Sequence, residues 1–210
     1  MIATSYINSA TPEGLYANTF FEAQYLLQNP AVATAVKAGD FQTGGEHYRK
    51  FGQFEPDRTA TFFGTSGNDI LTGFGVGNVE LIGVEVGVNI NDRREYKSRG
   101  SDEFDTLIGG SGSDTFVLGR RLITRNSIAK LVNVDEFLYQ GPGFATIQNF
   151  TQGQDRIQLP FNLDRIFPIN NNRDLAIQFG PDTLAVIEGG GNLSLNRLPV
   201  FGGEVSTLLG

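Results

Sequence analysis

Cysteine and tryptophan are missing from the 210 residues, there is one methionine and one histidine, and no apolar run reaches the roughly 18 residues of a membrane span. Without cysteine, disulfides, thiolate metal sites and a cysteine nucleophile are excluded; the compartment stays open, because exported proteins need not carry disulfides. A single histidine, His47, rules out the H-E-x-x-H zinc motif. The hydrolase signature GxSxG is absent too, and the nearest string, Gly64-Thr65-Ser66-Gly67, has the wrong spacing. GFGVG at 73–77 fails the dinucleotide fingerprint, since Asn78 stands at the last glycine position and no βαβ pattern follows. Basic residues are outnumbered, 16 Lys and Arg against 23 Asp and Glu, for a net charge of −7. That balance argues against nucleic acid or an anionic membrane as partner and suits a hard cation. MIATSYINSATPEGLY lacks the basic and apolar regions of a signal peptide, so the expectation is either a cytoplasmic protein or export without a cleaved N-terminal signal.

What is present changes character along the chain. From Thr19 to about Phe54 the apolar residues fall at helical spacing, with Pro30 suited to a first helical turn and Gly39 to a stop, which predicts two or three helices. His47 reads as a helix residue that packs or hydrogen-bonds within this unit. Polar FEPDRTAT then precedes a shift to Gly, Asp, Asn and β-branched residues, and a boundary is placed near 56–61. Ile82, Val84, Val86, Val88 and Ile90 alternate with Gly83, Glu85, Gly87 and Asn89, the period of a half-buried strand. Residues 91–103 read as a solvated charged loop. DLAIQF (174–179) and TLAVIEG (183–189) flank Gly-Pro-Asp and read as a hairpin. No state follows from the glycine-rich segment after 189.

Glycine is the commonest signal, at 27 residues, and it is periodic in places. GGSGSDTFV (109–117) and GTSGNDILT (64–72) share one plan: glycine at positions one and four, aspartate at six, a large apolar residue at eight. GSDEFDTLI (100–108) keeps Gly100, Asp105 and Leu107 but has Glu103 at position four. GFGVGNVELI (73–82) fits if Val76 is an extra residue, with Val79 in place of the aspartate. Six residues can turn the chain and gather carbonyls and a carboxylate; the last three form a short strand with its eighth residue in the core. The same residues also suit plain tight turns, whose Asp and Asn side chains accept backbone N–H groups. Asn68, Asn78 and Ser113 read as turn residues.

This nonapeptide resembles the G-G-x-G-x-D-x-U-x repeat of the RTX, or haemolysin-type, calcium-binding proteins. The stretch ATIQNFTQGQDRIQLP (145–160) is similar to the segments that end such repeat arrays in bacterial, particularly cyanobacterial, members, and the helical stretch is similar to a small module found beside them. In that plan Ile147, Phe150, Ile157 and Leu159 cover the open end of the roll, as terminal units must, and Asp155 is a turn residue. The resemblance implies an α+β, mainly β fold: helical module 1–57, a short parallel β-roll 58–120 with an insertion at 83–99, and a β-rich cap 121–210. It implies Ca2+ as the bound ion, with Gly64, Ser66, Asp69, Asp105, Gly109, Ser111 and Asp114 as ligand residues from stacked turns, because one turn supplies too few of the six to eight oxygens calcium takes.

Two registers are open. Excising 83–99 puts the Asp69 and Asp105 turns on one edge and leaves Asp114 opposite a valine turn; counting 83–91 as a repeat separates Asp69 from Asp105. The first is favoured, and either allows about one or two ions. The expected function is a non-catalytic calcium-binding protein, exported by a type I-like route to the cell surface or medium, with a cytoplasmic location left open. Alternatives are a structural or adhesive surface protein in which calcium is only a staple, and a hydrolase or enzyme accessory.

Overall fold

The computed structural model describes residues 20–88, 94–125, 128, 130–160, 165–194, 196–197 and 206–209. The stretch with helical spacing forms α1 (Glu22–Gln28), α2 (Pro30–Ala38) and α3 (Gly44–Lys50). Pro30 opens α2, where its missing N–H costs nothing, and Gly39 closes it in the left-handed region. Thr43 caps α3 by accepting the Glu46 N–H at 2.9 Å. The unit does not have a core of its own. Tyr25 and Tyr48 pack around Phe20, with ring centroids 5.1 and 5.5 Å away, and Phe20 and Tyr48 both rest on Phe62 of the first strand, at 5.8 and 6.0 Å. The change of composition near 56–61 thus marks a change of secondary structure inside one continuous apolar cluster.

Beyond it the protein is mainly β. The chain alternates between two sheets. Sheet I takes β1 (Thr59–Gly64), β3 (Asn78–Val88), β6 (Thr115–Val117) and β10 (Arg156–Leu159), each parallel to the next. Sheet II takes β2 (Ile70–Thr72), β5 (Phe104–Ile108), β9 (Phe144–Gln148) and β13 (Asp182–Ile187), also parallel. Each strand is followed by one in the other sheet, so the chain winds as a flattened coil. Its interior is two in-register columns: Phe62, Leu81, Phe116 and Ile157 in sheet I, and Leu71, Leu107, Ile147 and Ile187 in sheet II. All eight are at most 1% exposed. At about 1.5–3 kcal/mol for each large apolar side chain buried, these columns outweigh any local turn preference. Leu107→Ala, midway along its column, is expected to cost about 2–5 kcal/mol in urea unfolding, while Leu27→Ala, on a side chain 78% exposed, should stay within about 0.5 kcal/mol.

The coil extends past residue 120. β9 and β10, placed in the cap by sequence, are further rungs, and only later do antiparallel strands close each sheet. β12 (Asp174–Phe179) pairs with β13 as the expected hairpin, with β11 (Arg165–Ile169) outside it. In sheet I, β15 (Ser206–Leu209) pairs with β10, and β14 (Asn196–Arg197) with β15. Two hairpins leave the coil. β3 runs on to pair with β4 (Arg94–Tyr96), and β7 (Gly119–Arg125) pairs with β8 (Leu131–Phe137) as a separate ribbon. The 91–103 segment is therefore more than a solvated loop: Tyr96 is buried, with the Arg120 guanidinium 4.3 Å from its ring centre. Ile90 and residues 91–93 lie outside the described residues.

Candidate functional site

Turns that carry the chain from sheet I to sheet II line one edge of the coil, and those that return it line the other. The pairing Ile70↔Thr106 sets Asp69 beside Asp105 on the first edge, which is the register with 83–99 excised. The pairings Glu80↔Thr115 and Thr115↔Arg156 set Val79, Asp114 and Asp155 side by side on the second. Gly64, Ser66, Asp69 and Asp105 thus gather on one edge, and Gly109, Ser111 and Asp114 on the other. Asp114 does face a valine turn on one side, as expected, but on its other side stands Asp155, a neighbour that the repeat spacing did not assign to it.

The aspartates share one hydrogen-bonding scheme. Each accepts from its own turn four residues back: Asp69 Oδ2 from the Thr65 N–H and, at 2.9 Å, its hydroxyl; Asp114 Oδ2 from the Gly110 N–H at 2.6 Å; Asp155 Oδ2 from the Thr151 N–H at 2.8 Å. The Asp69 and Asp114 amides in turn donate one rung onward, whereas the Asp155 N–H donates within its own turn to Thr151 O at 2.9 Å. The Asp69 N–H bonds Asp105 Oδ1 at 2.8 Å and the Asp114 N–H bonds Asp155 Oδ1 at 2.9 Å. Asp155 thus closes its own turn with one oxygen and pins the preceding coil with the other. Asp105 lies in β5 itself and takes its second bond from the Tyr139 hydroxyl at 2.6 Å. Gly83 makes room for that pair: a Cβ there would stand 1.9 Å from Tyr139 Oη and 2.5 Å from Asp105 Oδ2.

Charge in this ladder is not balanced. Asp69, Glu103, Asp105, Asp114 and Asp155 are all buried, and among the described residues no cationic side chain offsets them. Burial pushes Glu103 up to about 7 against a weak bond from Ser98, with the Asp69 charge adding to it. Burial likewise takes Asp105 to about 7, opposed by the Tyr139 hydroxyl and the Asp69 amide. Asp114 also reaches about 7, through burial and then the charge of Asp155. Asp69 and Asp155 are raised by the same loss of water. Two carboxylate oxygens, Asp69 Oδ1 and Asp114 Oδ1, are buried with no hydrogen-bond partner. The Val79 amide lies close enough to Asp114 to favour its ionised form without reaching hydrogen-bond geometry.

The two edges differ in what holds the turn carbonyls. On the second edge, the Gln154 carboxamide donates to Ser111 O at 2.9 Å and also to Gly112 O, and Asn149 Nδ2 lies 3.4 Å from Gly109 O. The Ser111 hydroxyl donates to Gly75 O of the preceding turn at 3.1 Å. On the first edge, Asn68 does the opposite: its Oδ1 accepts from the Phe104 N–H at 2.8 Å. Ser66 is exposed, and Gly64 ends β1 where the register shifts. A calcium ion needs six to eight oxygens, and among the described residues no three His, Cys, Asp or Glu side chains converge on one point. An ion at either edge would draw most of its ligands from carbonyls and water. The donor-free Asp69 Oδ1, with Glu103 close by, fits such an ion at the first edge.

Spacing alone could have flagged Asp155. Asp69-x-Leu71, Asp105-x-Leu107, Asp114-x-Phe116 and Asp155-x-Ile157 repeat one pattern, an aspartate two residues before a fully buried core side chain. Nothing in the sequence signals Tyr139, which arrives from the far side of the β7–β8 ribbon. His47 lies away from the ladder, with Nδ1 3.0 Å from the Tyr25 hydroxyl and its ring 5.0 Å from that of Phe41; burial lowers its pKa. Comparison with known proteins finds no matching family model, no matching curated protein and no matching solved structure.

Proposed function

We propose that the chain is a non-catalytic, calcium-stabilised coil of the RTX type, exported and completed by calcium outside the cell. The observation that carries this reading is Asp69 Oδ1, a buried carboxylate oxygen without a donor, stacked on Asp105 and beside Glu103, with no cation among the described residues to balance them. A divalent ion supplies the missing charge, and an ion that binds only the folded coil stabilises it by mass action. Calcium, scarce inside cells and abundant outside, then acts as the compartment signal. The non-catalytic reading rests on the burial of the carboxylates and on the packing of His47 among aromatic rings.

Thermal melts with EDTA and with millimolar calcium test it. At free calcium 100 times its Kd the stabilisation is about 2.7 kcal/mol, a rise of about 5–10 °C for a chain of this size. Equal melting temperatures in both buffers would sink the calcium claim. A second reading, a structural or adhesive surface protein with calcium as a staple only, is favoured by the β7–β8 ribbon, where Leu131 is 59% and Val134 41% exposed. Sedimentation with and without residues 122–134 separates the two, since an adhesive ribbon loses self-association or surface binding with calcium affinity intact.

A further inference from the structure

We infer that the two edges divide their roles: the complete repeat, residues 109–114, is held by carboxamide side chains of the next turn in place of a metal ion, and cation binding belongs to the Asp69–Asp105 edge alone. The second half rests on the calcium reading above; the first does not.

A calcium site between stacked turns needs their carbonyl oxygens. In GGSGSD three of those oxygens, on Gly109, Ser111 and Gly112, already have side-chain donors. A carboxamide nitrogen carries two N–H groups, and that of Gln154 serves both Ser111 O and Gly112 O. Asn149 Nδ2 approaches Gly109 O from the same turn, and the Ser111 hydroxyl ties the repeat to the turn before it. A neutral amide does this without the desolvation cost of an ion, and at any calcium concentration. The carboxylates next to it are also engaged, since both oxygens of Asp155 accept backbone N–H groups and Asp114 Oδ2 accepts one. Only Asp114 Oδ1 stays without a partner, and three carbonyls of its turn, Gly109 O, Ser111 O and Gly112 O, already have side-chain donors. The edge with the less complete motif differs in its carbonyls. Among the described residues no side-chain amide donates to the carbonyls of 65–67, Asn68 turning its Oδ1 to the Phe104 N–H instead, and Glu103 adds a third carboxylate beside the donor-free Asp69 Oδ1.

The test uses the full chain with Gln154→Met, Asn149→Ala, Asp114→Asn and Asp69→Asn, melted in EDTA and in millimolar calcium, with calcium affinity by calorimetry. Gln154→Met keeps the bulk and removes both donors, and should lower the melting temperature by about 3–6 °C equally in the two buffers. Asn149→Ala should give a smaller loss of the same kind. Asp114→Asn should leave the wild-type calcium shift and affinity in place, and Asp69→Asn should abolish the shift. The division of roles is overturned if Asp114→Asn removes the calcium shift, or if Gln154→Met melts as wild type in EDTA. A wild type with no calcium shift overturns the cation half along with the calcium reading, and the amide half is then decided by the EDTA melts alone.

Discussion

In EDTA the melting temperature should rise as the pH falls from 8 to 5. Glu103, Asp105 and Asp114 have folded-state pKa values pushed up to about 7, well above those of an unfolded chain. A group raised in this way contributes stability that is complete below its unfolded pKa, near 4, and is lost as the pH climbs through its folded value. Between those limits each such carboxyl takes up a proton on folding and changes the stability by about 1.4 kcal/mol per pH unit. With three such carboxyls buried in one coil, the trend has the same sign at each of them. The trend should turn over in more acid solution. Arg173 and Asn170 hold the Asp174 carboxyl well below the usual range, and Arg120 and Arg99 lower Glu136; both contribute stability that is lost as the pH drops through their folded values. An optimum at about pH 4 follows for the calcium-free protein. Calcium should flatten the alkaline limb, because the ion replaces the proton at the first edge. Melts in EDTA that are level from pH 5 to 8, or higher at pH 8, would contradict the buried, unbalanced ladder.

Alanine at position four of the repeat should have opposite consequences in its two best copies. At Gly112 a Cβ would stand 1.8 Å from Gly77 O and 2.6 Å from its carbonyl carbon. Those atoms are backbone of the neighbouring turn, so the coils must separate to admit a methyl group. Gly112→Ala is expected to cost about 3 kcal/mol or more, and to abolish folding where the margin is small. At Gly67 the nearest atom to a Cβ is Thr65 Oγ1 at 3.8 Å, an ordinary contact. Gly67→Ala should be neutral, or stabilising by about 0.4–1 kcal/mol through the lower entropy of the unfolded chain. Chemical denaturation of the two variants side by side is the check, and equal losses would mean that the turns are not stacked as described.

That contrast shows how far the repeat could be read from its spelling. Period and composition are local properties, and they located the helical stretch without fixing whether it held two helices or three, the turns with their following strands, and the core positions Leu71, Leu107 and Phe116. They also put Asp69 beside Asp105 once 83–99 was set outside the coil. The strand at 94–96 and the burial of Tyr96 were not legible, and the continuation of the coil through β9 and β10 showed only in the Asp155-x-Ile157 spacing, because the excursions interrupt the glycine period.

The sequence by itself determined the turn-and-strand unit: glycines where the chain must bend, an aspartate that accepts its own turn's N–H, and a core residue two places on. Its information ends at the next rung. Which turn lies against which is settled by the apolar columns, which bury their eight side chains only in one register. That stacking gave Asp114 its neighbour Asp155, put Gly112 but not Gly67 under a backbone carbonyl, and brought Tyr139 to Asp105. It also brought Gln154 onto the carbonyls of GGSGSD. The motif fixes what a turn offers to a ligand, and only the turn packed against it decides whether those oxygens are still free.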